Sequence, residues 1–353
     1  MRTATELSPH LHEARTETAE TIAQDVIQLG DELLLQANPY EHGVEHASIH
    51  RSRLLRGNNV YNLDLTHQPS GAFKLAAAHA AVYFATREAW TAGEVIEEGH
   101  VASAGNAARA FTLAGRAYDL RMVAHTPASA SSYKLDKLEE DGAEVHAVYR
   151  DIAHALSGAK AAGNQPGKYE FHPFDRKENM AGLYATIGQE TVRFIEALQM
   201  SETAPIHVVA PLGGGSLAST LAIALREADL SSVKLFTAEV EETLEGTTYS
   251  KEALPFCDGT ATKTGTVTGT ILEDTRFREG AIKVRTDQVA SAMKLVSGEP
   301  AGALSRAGVL KLASQEQDPE IIYIDFLTGN NMCDATRAKA AELAMRGCGV
   351  APL

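Results

Sequence analysis

Four short segments of the 353-residue chain carry groups suited to a single piece of chemistry. Lys74 ends the run His67-Gln68-Pro69-Ser70-Gly71-Ala72-Phe73-Lys74. An amine attacks an aldehyde only when neutral, and a lysine near a helix N-terminus feels the positive end of the dipole, which disfavours its charged form. Its neighbours Phe73, Leu75, Ala76, Ala77 and Ala78 point to burial rather than to a surface lysine. Gly213-Gly214-Gly215-Ser216-Leu217 lies between an apolar strand and a helix. Consecutive glycines let backbone N–H groups wrap a phosphate, and Ser216 adds a hydroxyl donor. The loop is neither G-x-G-x-x-G nor G-K-[ST], so it gives little support to dinucleotide or ATP binding.

Two polar turns complete the set. Ser103-Ala104-Gly105-Asn106 leads from a strand into a helix, where exposed backbone N–H groups bind an anion such as an α-carboxylate. Thr328, in Thr328-Gly329-Asn330, follows the apolar run 321–327, at the strand end where open α/β sheets bind ligands. Each segment alone also reads as an ordinary turn, cap or glycine bend. Taken in order, an amine, a phosphate cradle and two polar turns are what holding pyridoxal phosphate as a Schiff base requires. Asn106 is then placed for the ring hydroxyl. Thr328 opposite the pyridine nitrogen would leave that nitrogen unprotonated, a weaker electron sink that suits elimination of a β-hydroxyl.

The elements that must position these groups alternate along the chain. A polar leading stretch with Ile22, Val26, Ile27, Leu33 and Leu34 predicts a first helix by about residue 35. Period-two and apolar runs predict strands at 60–65, 100–102, 120–125, 144–148, 206–210, 233–238, 281–285 and 321–327. Helices are expected over 73–90, 106–117, 131–140, 152–162, 179–199, 216–226, 287–295 and 301–313. Residues 245–280, rich in Thr and Gly, read as a long irregular excursion. Strand–helix repetition with short connections implies parallel sheets covered by helices in two α/β lobes facing a cleft. The expected division is a large domain from 1–66 and 168–353 and a smaller mobile one from 67–167. His42, His46 and His50 would share one face of a helix and bind metal. Gly43 and the absence of helical periodicity argue for a solvated or structural role instead.

Composition bounds the setting. Hydrophobic residues make up 44% and charged residues 22%, with a formal net charge of −14. Such acidity argues against non-specific attraction to nucleic acid or anionic membrane. Cys257, Cys333 and Cys348 are scattered without C-x-x-C spacing, which fits a reduced cytoplasmic setting. Neither a signal peptide nor a membrane-spanning helix is expected.

The chain resembles the threonine and serine dehydratases of the tryptophan-synthase-β-like, fold type II pyridoxal-phosphate enzymes, from about Asn59 to Asp334. Ala72-Phe73-Lys74-Leu75-Ala76-Ala77 is similar to the family's S-F-K-x-R-G, and Ser103 to Ala107 to its S-[AS]-G-N-H. Gly213 to Leu217 resembles its tetraglycine loop, Glu299-Pro300-Ala301-Gly302-Ala303 its E-P-S-G-A, and Thr328-Gly329-Asn330 its S-G-x-N. Pro173-Phe174-Asp175 resembles the segment that returns to the large lobe. The resemblance implies a Schiff base on Lys74, Phe73 beside the ring and Asn106 on its hydroxyl. It places Gly213, Gly214, Gly215, Ser216 and Leu217 on the phosphate and Thr328 on the pyridine nitrogen. Ser103, Ala104, Gly105, Asn106 and Ala107 would take the substrate carboxylate, with Glu299 near the cofactor.

The same resemblance implies an amino-acid substrate, a homodimer and loss of the β-substituent to give a 2-oxo acid and ammonia. Ala72, Ala76-Ala77 and Ala107 stand where the family carries Ser, Arg-Gly and His, which leaves the substrate open. Ala104 replaces the serine that racemases of the family use as an opposite-face acid, which argues against racemisation. Glu239, Thr243 and Glu245 have a spacing compatible with the cation some members hold, but an acidic stretch gives that by chance, and no metal is expected. There is no room after Leu353 for the regulatory domain of the biosynthetic dehydratases, so isoleucine feedback of that type is not expected. A β- or γ-replacement enzyme and a degenerate, non-catalytic cofactor binder are the alternatives. Thr328-Gly329 followed by Asp334 also resembles threonine synthase, whereas Leu75 lacks the aspartate those enzymes carry after the lysine.

Overall fold

The structure is a computed structural model that describes residues 17–54, 57–201, 203–241, 264–296, 299–316, 318–330, 332 and 334–346. Two sheets organise it. The larger is six-stranded, in the order β1 (Ser48–Arg53), β2 (Asn59–Asp64), β10 (Ile322–Leu327), β7 (Ile206–Pro211), β8 (Lys234–Val240) and β9 (Gly280–Val284). The strands from β2 to β9 run parallel, and β1 adds an antiparallel edge. Every residue of β7 and β10 is buried, as expected of central parallel strands covered on both faces. On one face lies α8 (Ser216–Glu227), backed by α6 (Lys177–Leu183) and α1 (Ala19–Gln36). On the other face α11 (Pro300–Glu316) lies across β7, β8, β9 and β10.

The smaller sheet has four parallel strands in the order β5 (Glu144–Tyr149), β4 (Arg121–Pro127), β3 (Glu98–Ala102) and β6 (Lys168–Phe171). α3 (Asn106–Ala117) packs Phe111 against Met122 and Phe171 on one side, with α2 (Lys74–Thr91) behind it. α5 (Ile152–Gly163) covers the other side through Ala155 and Ala159. Three-layer packing around parallel strands is therefore present in both halves.

Several elements differ from the sequence expectation. Strand β6 is only four residues long and β1 is mixed in polarity, so their pattern is weak; β1 carries His50, Arg51 and Arg53 on a sheet edge. His42 ends a 3₁₀ turn, His46 follows in a loop and His50 lies on β1, so the three share no helix face. The segment read as irregular contains α9 (Thr266–Glu273), whose threonines disguised a helix; residues 242–263 lie outside the described residues. The helix expected over 179–199 is present, but a π-helical turn at Tyr184–Gly188 separates α6 from α7 (Gln189–Gln199) within it. α12 (Asp334–Arg346) was also not anticipated. The apolar strand β10 hides a fully buried charge, Asp325, paired with Arg306 of α11 and accepting from Asn62 Nδ2 at 2.8 Å. A buried carboxylate is tolerable only with such partners.

Another polar cluster crosses the smaller sheet. His100 Nδ1 and His125 Nε2 lie 2.9 Å apart, and His125 Nδ1 meets the Tyr149 hydroxyl at 2.6 Å. Burial lowers both imidazoles to about 4 from 6.5; His146 acts in the same direction on both, Lys168 on His100 and His100 on His125, while Glu144 opposes the shift. Glu98 at 2.8 Å would favour protonated His100, but Arg121 and Lys168 already pair with that carboxylate, and burial prevails. Both rings are thus neutral when folded but take up protons below 6.5 when unfolded. Stability is present in full above pH 6.5 and is lost as pH falls toward 4, at up to about 1.4 kcal/mol per pH unit for each ring. Melting curves between pH 7 and pH 4.5 should fall more steeply for the wild type than for the double variant H100Q/H125Q. Parallel curves would contradict the assignment.

Candidate active site

The four segments converge at the C-terminal ends of the strands. The turn before Lys74 is held by Phe73 N–H donating to the Thr328 carbonyl at 3.1 Å and Asn330 N–H donating to the Gly71 carbonyl at 3.0 Å. Ala72 and Gly329 form an antiparallel bridge between them. Gly71 has φ +72°, a conformation glycine adopts without strain, and it reverses the chain ahead of the helix. Lys74 is therefore the first residue of α2, with its Nζ 4.9 Å from the Phe73 ring centre. The residue keeps a partly open face, yet its amine lies deep enough that burial brings the pKa down from 10.5 to about 8. The carboxylate of Glu299 acts the opposite way, by favouring the charged amine.

Two hydrogen bonds help to set Glu299. Its N–H donates to the Gly329 carbonyl at 3.0 Å, and its Oε1 accepts from Asn106 Nδ2 at 2.8 Å. Gly329 lies under this pair: a β-carbon there would overlap the Glu299 carboxylate and come within 2.9 Å of Asn106 Nδ2. Lys74, Asn106, Glu299 and Thr328 thus share one small volume. Ser103 and Ala104 lie beside it on the way into α3, and Ser103 Oγ accepts the Gly105 N–H at 3.2 Å. No side-chain hydrogen bond caps the α3 N-terminus, which leaves its first backbone donors without a capping side chain. Ala107 is buried in the first turn of α3.

The glycine loop leaves β7 after Pro211 and enters α8 at Ser216. Gly215 caps that helix at φ +93°, again without a capping side chain. Gly214 packs so tightly that a β-carbon would lie 2.5 Å from the Phe174 ring. The loop is braced from behind. Asp175 accepts N–H groups of Thr266, Val267 and Thr268 at 2.8, 3.0 and 3.2 Å, capping α9, and Thr268 Oγ1 donates to the Gly214 carbonyl at 2.8 Å. A narrow glycine cradle at an uncapped helix N-terminus fits a phosphate, and a buried amine of lowered pKa fits an aldehyde. The residues present therefore suit pyridoxal phosphate.

Other expected site residues lie elsewhere or outside the described residues. Glu239 is paired with Lys283 and with Arg278, whose Nη1 lies 3.6 Å away, so its charge is already engaged. Thr243 and Glu245 lie outside the described residues, as do Cys257, Cys333 and Cys348. The sequence reading missed Thr268, hidden in the segment taken as irregular, and the capping role of Asp175. It also missed Arg109, whose only signal was a basic residue one turn after Asn106.

Two substitutions test this geometry. Gly329→Ala should push Glu299 from Asn106 and weaken cofactor affinity at least tenfold by equilibrium titration, a loss of about 1.4 kcal/mol. Asp175→Ala removes the α9 cap and should destabilise the cofactor-free protein by about 1 kcal/mol in urea unfolding. Unchanged values would contradict the placement of each residue.

Comparison with known proteins identifies the family. Residues 45–324 match the family described as pyridoxal-phosphate dependent enzyme. The chain is 26% identical over 291 residues to the biosynthetic L-threonine dehydratase of Pasteurella multocida, covering 78% of this chain and 54% of that protein. It spans about half the length of the curated relatives it matches, 54% and 55% for the first two. In fold it is similar to the processed form of threonine deaminase isoform 2 from Solanum lycopersicum, with TM-score 0.76, 21% identity and coverage of 92% and 89%. Maize serine racemase is also similar, with TM-score 0.72, 20% identity and coverage of 92% and 99%. With a matching family span that reaches from the loop before β1 into β10 and contains the lysine turn and the glycine loop, the chain belongs to the pyridoxal-phosphate-dependent enzymes of the tryptophan-synthase-β-like fold.

Proposed function

We propose that this protein is a lyase that removes the β-substituent, a hydroxyl, from a threonine- or serine-like amino acid, giving a 2-oxo acid and ammonia. The observation that carries the reading is the buried amine of Lys74, lowered to about 8, facing the Asn106–Glu299 pair at the end of β10. Pyridoxal phosphate, when bound, supplies an electron sink for the substrate α-carbon. Lys74 would bind it covalently and move the α-proton. A lysine whose pKa lies near neutrality exchanges a proton more readily than one at 10.5.

The remaining roles are those the resemblance implies, supported by where these residues lie. Gly213 to Leu217 hold the phosphate with the backbone donors of α8, and Phe73 flanks the ring. Asn106 holds the ring hydroxyl while Glu299 fixes the Asn106 amide. Thr328, buried at the end of β10, presents a neutral hydroxyl where an acid would keep the ring cationic. Ser103 to Ala107 take the substrate carboxylate at the uncapped start of α3. Ala104 offers no proton, which disfavours racemisation. The relatives named threonine dehydratase and threonine ammonia-lyase support elimination. The same reading takes residues 67–167 as the smaller mobile lobe and the protein as a cytoplasmic homodimer. No described helix is long and apolar enough to cross a membrane.

Cofactor-loaded protein should release equal amounts of 2-oxo acid and ammonia from at least one member of a panel of β-hydroxy amino acids. Lys74→Ala should lower that rate by roughly a thousandfold or more. Product only when a thiol or amine nucleophile is added would instead indicate a replacement enzyme. A lasting spectral change with no product under either condition would indicate a non-catalytic binder.

A further inference from the structure

We propose that Arg109 is a positioning residue that locks the turn carrying Lys74 to the helix that begins at Asn106. The proposal rests on Lys74 as the cofactor-binding residue and not on the identity of the substrate. Arg109 lies three residues after Asn106 on α3, so the two side chains leave the same face of the helix. Its Nη1 donates to the Ser70 carbonyl at 3.2 Å, four residues before Lys74. Its Nε and Nη2 grip the two oxygens of Asp141 at 2.6 and 3.2 Å. Both side chains are only 14% exposed.

This geometry fixes the guanidinium in three directions. The two-point grip on a carboxylate sets the plane of the fork, and the remaining nitrogen is thereby aimed at the Ser70 carbonyl. Asp141 is the last residue of α4 (Ser132–Asp141), where the helix dipole disfavours a carboxylate. Its pairing with Arg109 offsets that penalty. Ser70 is fully buried, and its hydroxyl donates to the Ala72 carbonyl at 2.8 Å. The turn is tied on one side to Thr328 and Asn330 of the larger half, and Arg109 ties it on the side of the smaller sheet. Releasing that tie lets the turn move away from α3 and admits water to the Lys74 amine. Glu299 is the charged group that acts on that amine, and it is itself bonded to Asn106 on the same helix.

The test uses the cofactor-free full chain and the rate at which it captures pyridoxal phosphate, read as the absorption of the lysine-bound cofactor between pH 6.5 and pH 10. Wild type should show a rate that rises toward pH 8 and levels off above it, as the amine loses its proton. Arg109→Lys keeps the charge without the fork, and Asp141→Asn removes the anchor while leaving Arg109 in place. Both should move the midpoint upward, slowing capture at pH 7.5 roughly tenfold for each unit moved. Lower melting temperatures with an unmoved midpoint in both would make Arg109 merely structural and overturn the proposal. If one variant fails to fold, the other decides. A wild type that captures no cofactor overturns the proposal together with the role of Lys74. One that captures it yet releases no 2-oxo acid overturns only the lyase reading.

Discussion

Two backbone hydrogen bonds, from Phe73 N–H to the Thr328 carbonyl at 3.1 Å and from Asn330 N–H to the Gly71 carbonyl at 3.0 Å, splice the lysine turn onto the end of the central strand β10. The rest of the site depends on this splice. It makes Lys74 the first residue of α2, where the amine is buried against Phe73 and directed toward Glu299. The same short strand end places Gly329 beneath the Asn106–Glu299 pair, where a side chain would separate the two. Gly302 in α11 packs against it as well, since a β-carbon there would lie 3.3 Å from both Thr328 N and Gly329 O. Small residues are required because three backbone segments meet within van der Waals reach.

The glycine loop proposed to hold the phosphate is built on separate supports. Its glycines owe their conformation to the β7–α8 turn, but their position is set by Phe174, Asp175 and Thr268. Asp175 carries a negative charge close to the loop proposed to hold the phosphate, which is unfavourable unless that charge is neutralised. Three backbone N–H groups at the positive end of α9 provide that neutralisation. The arrangement uses one helix dipole to anchor the brace and leaves another, that of α8, without a capping side chain. In a chain of formal charge −14, locally positive helix ends and a lysine supply what the bulk composition does not.

Much of this was legible in the sequence because the signals are local. Strands β7 and β10 are continuous apolar runs, and Gly213 to Gly215 and Gly71 mark turns that few other residues allow. Lys74, Asn106, Glu299 and Thr328 each sit next to such a signal, and the structure brings them together. What escaped was non-local or masked by composition. Asp175 and Thr268 are 93 residues apart, and only the fold shows that one caps the helix of the other. Arg109 reaches Asp141 across 32 residues, and nothing in the spacing marks the pair. Strand β1 has no apolar alternation because it is an edge whose outer backbone is solvated. The histidine spacing at 42, 46 and 50 suggested a helix that the backbone does not form.

The central claim is that Lys74 is the residue to which the cofactor attaches. The most direct measurement is reduction of the cofactor-loaded protein with borohydride, followed by proteolysis and peptide mass analysis. The account predicts one modified peptide, with the added mass on Lys74. Modification of a different lysine, or spread over many surface lysines with Lys74 unmodified, would contradict it.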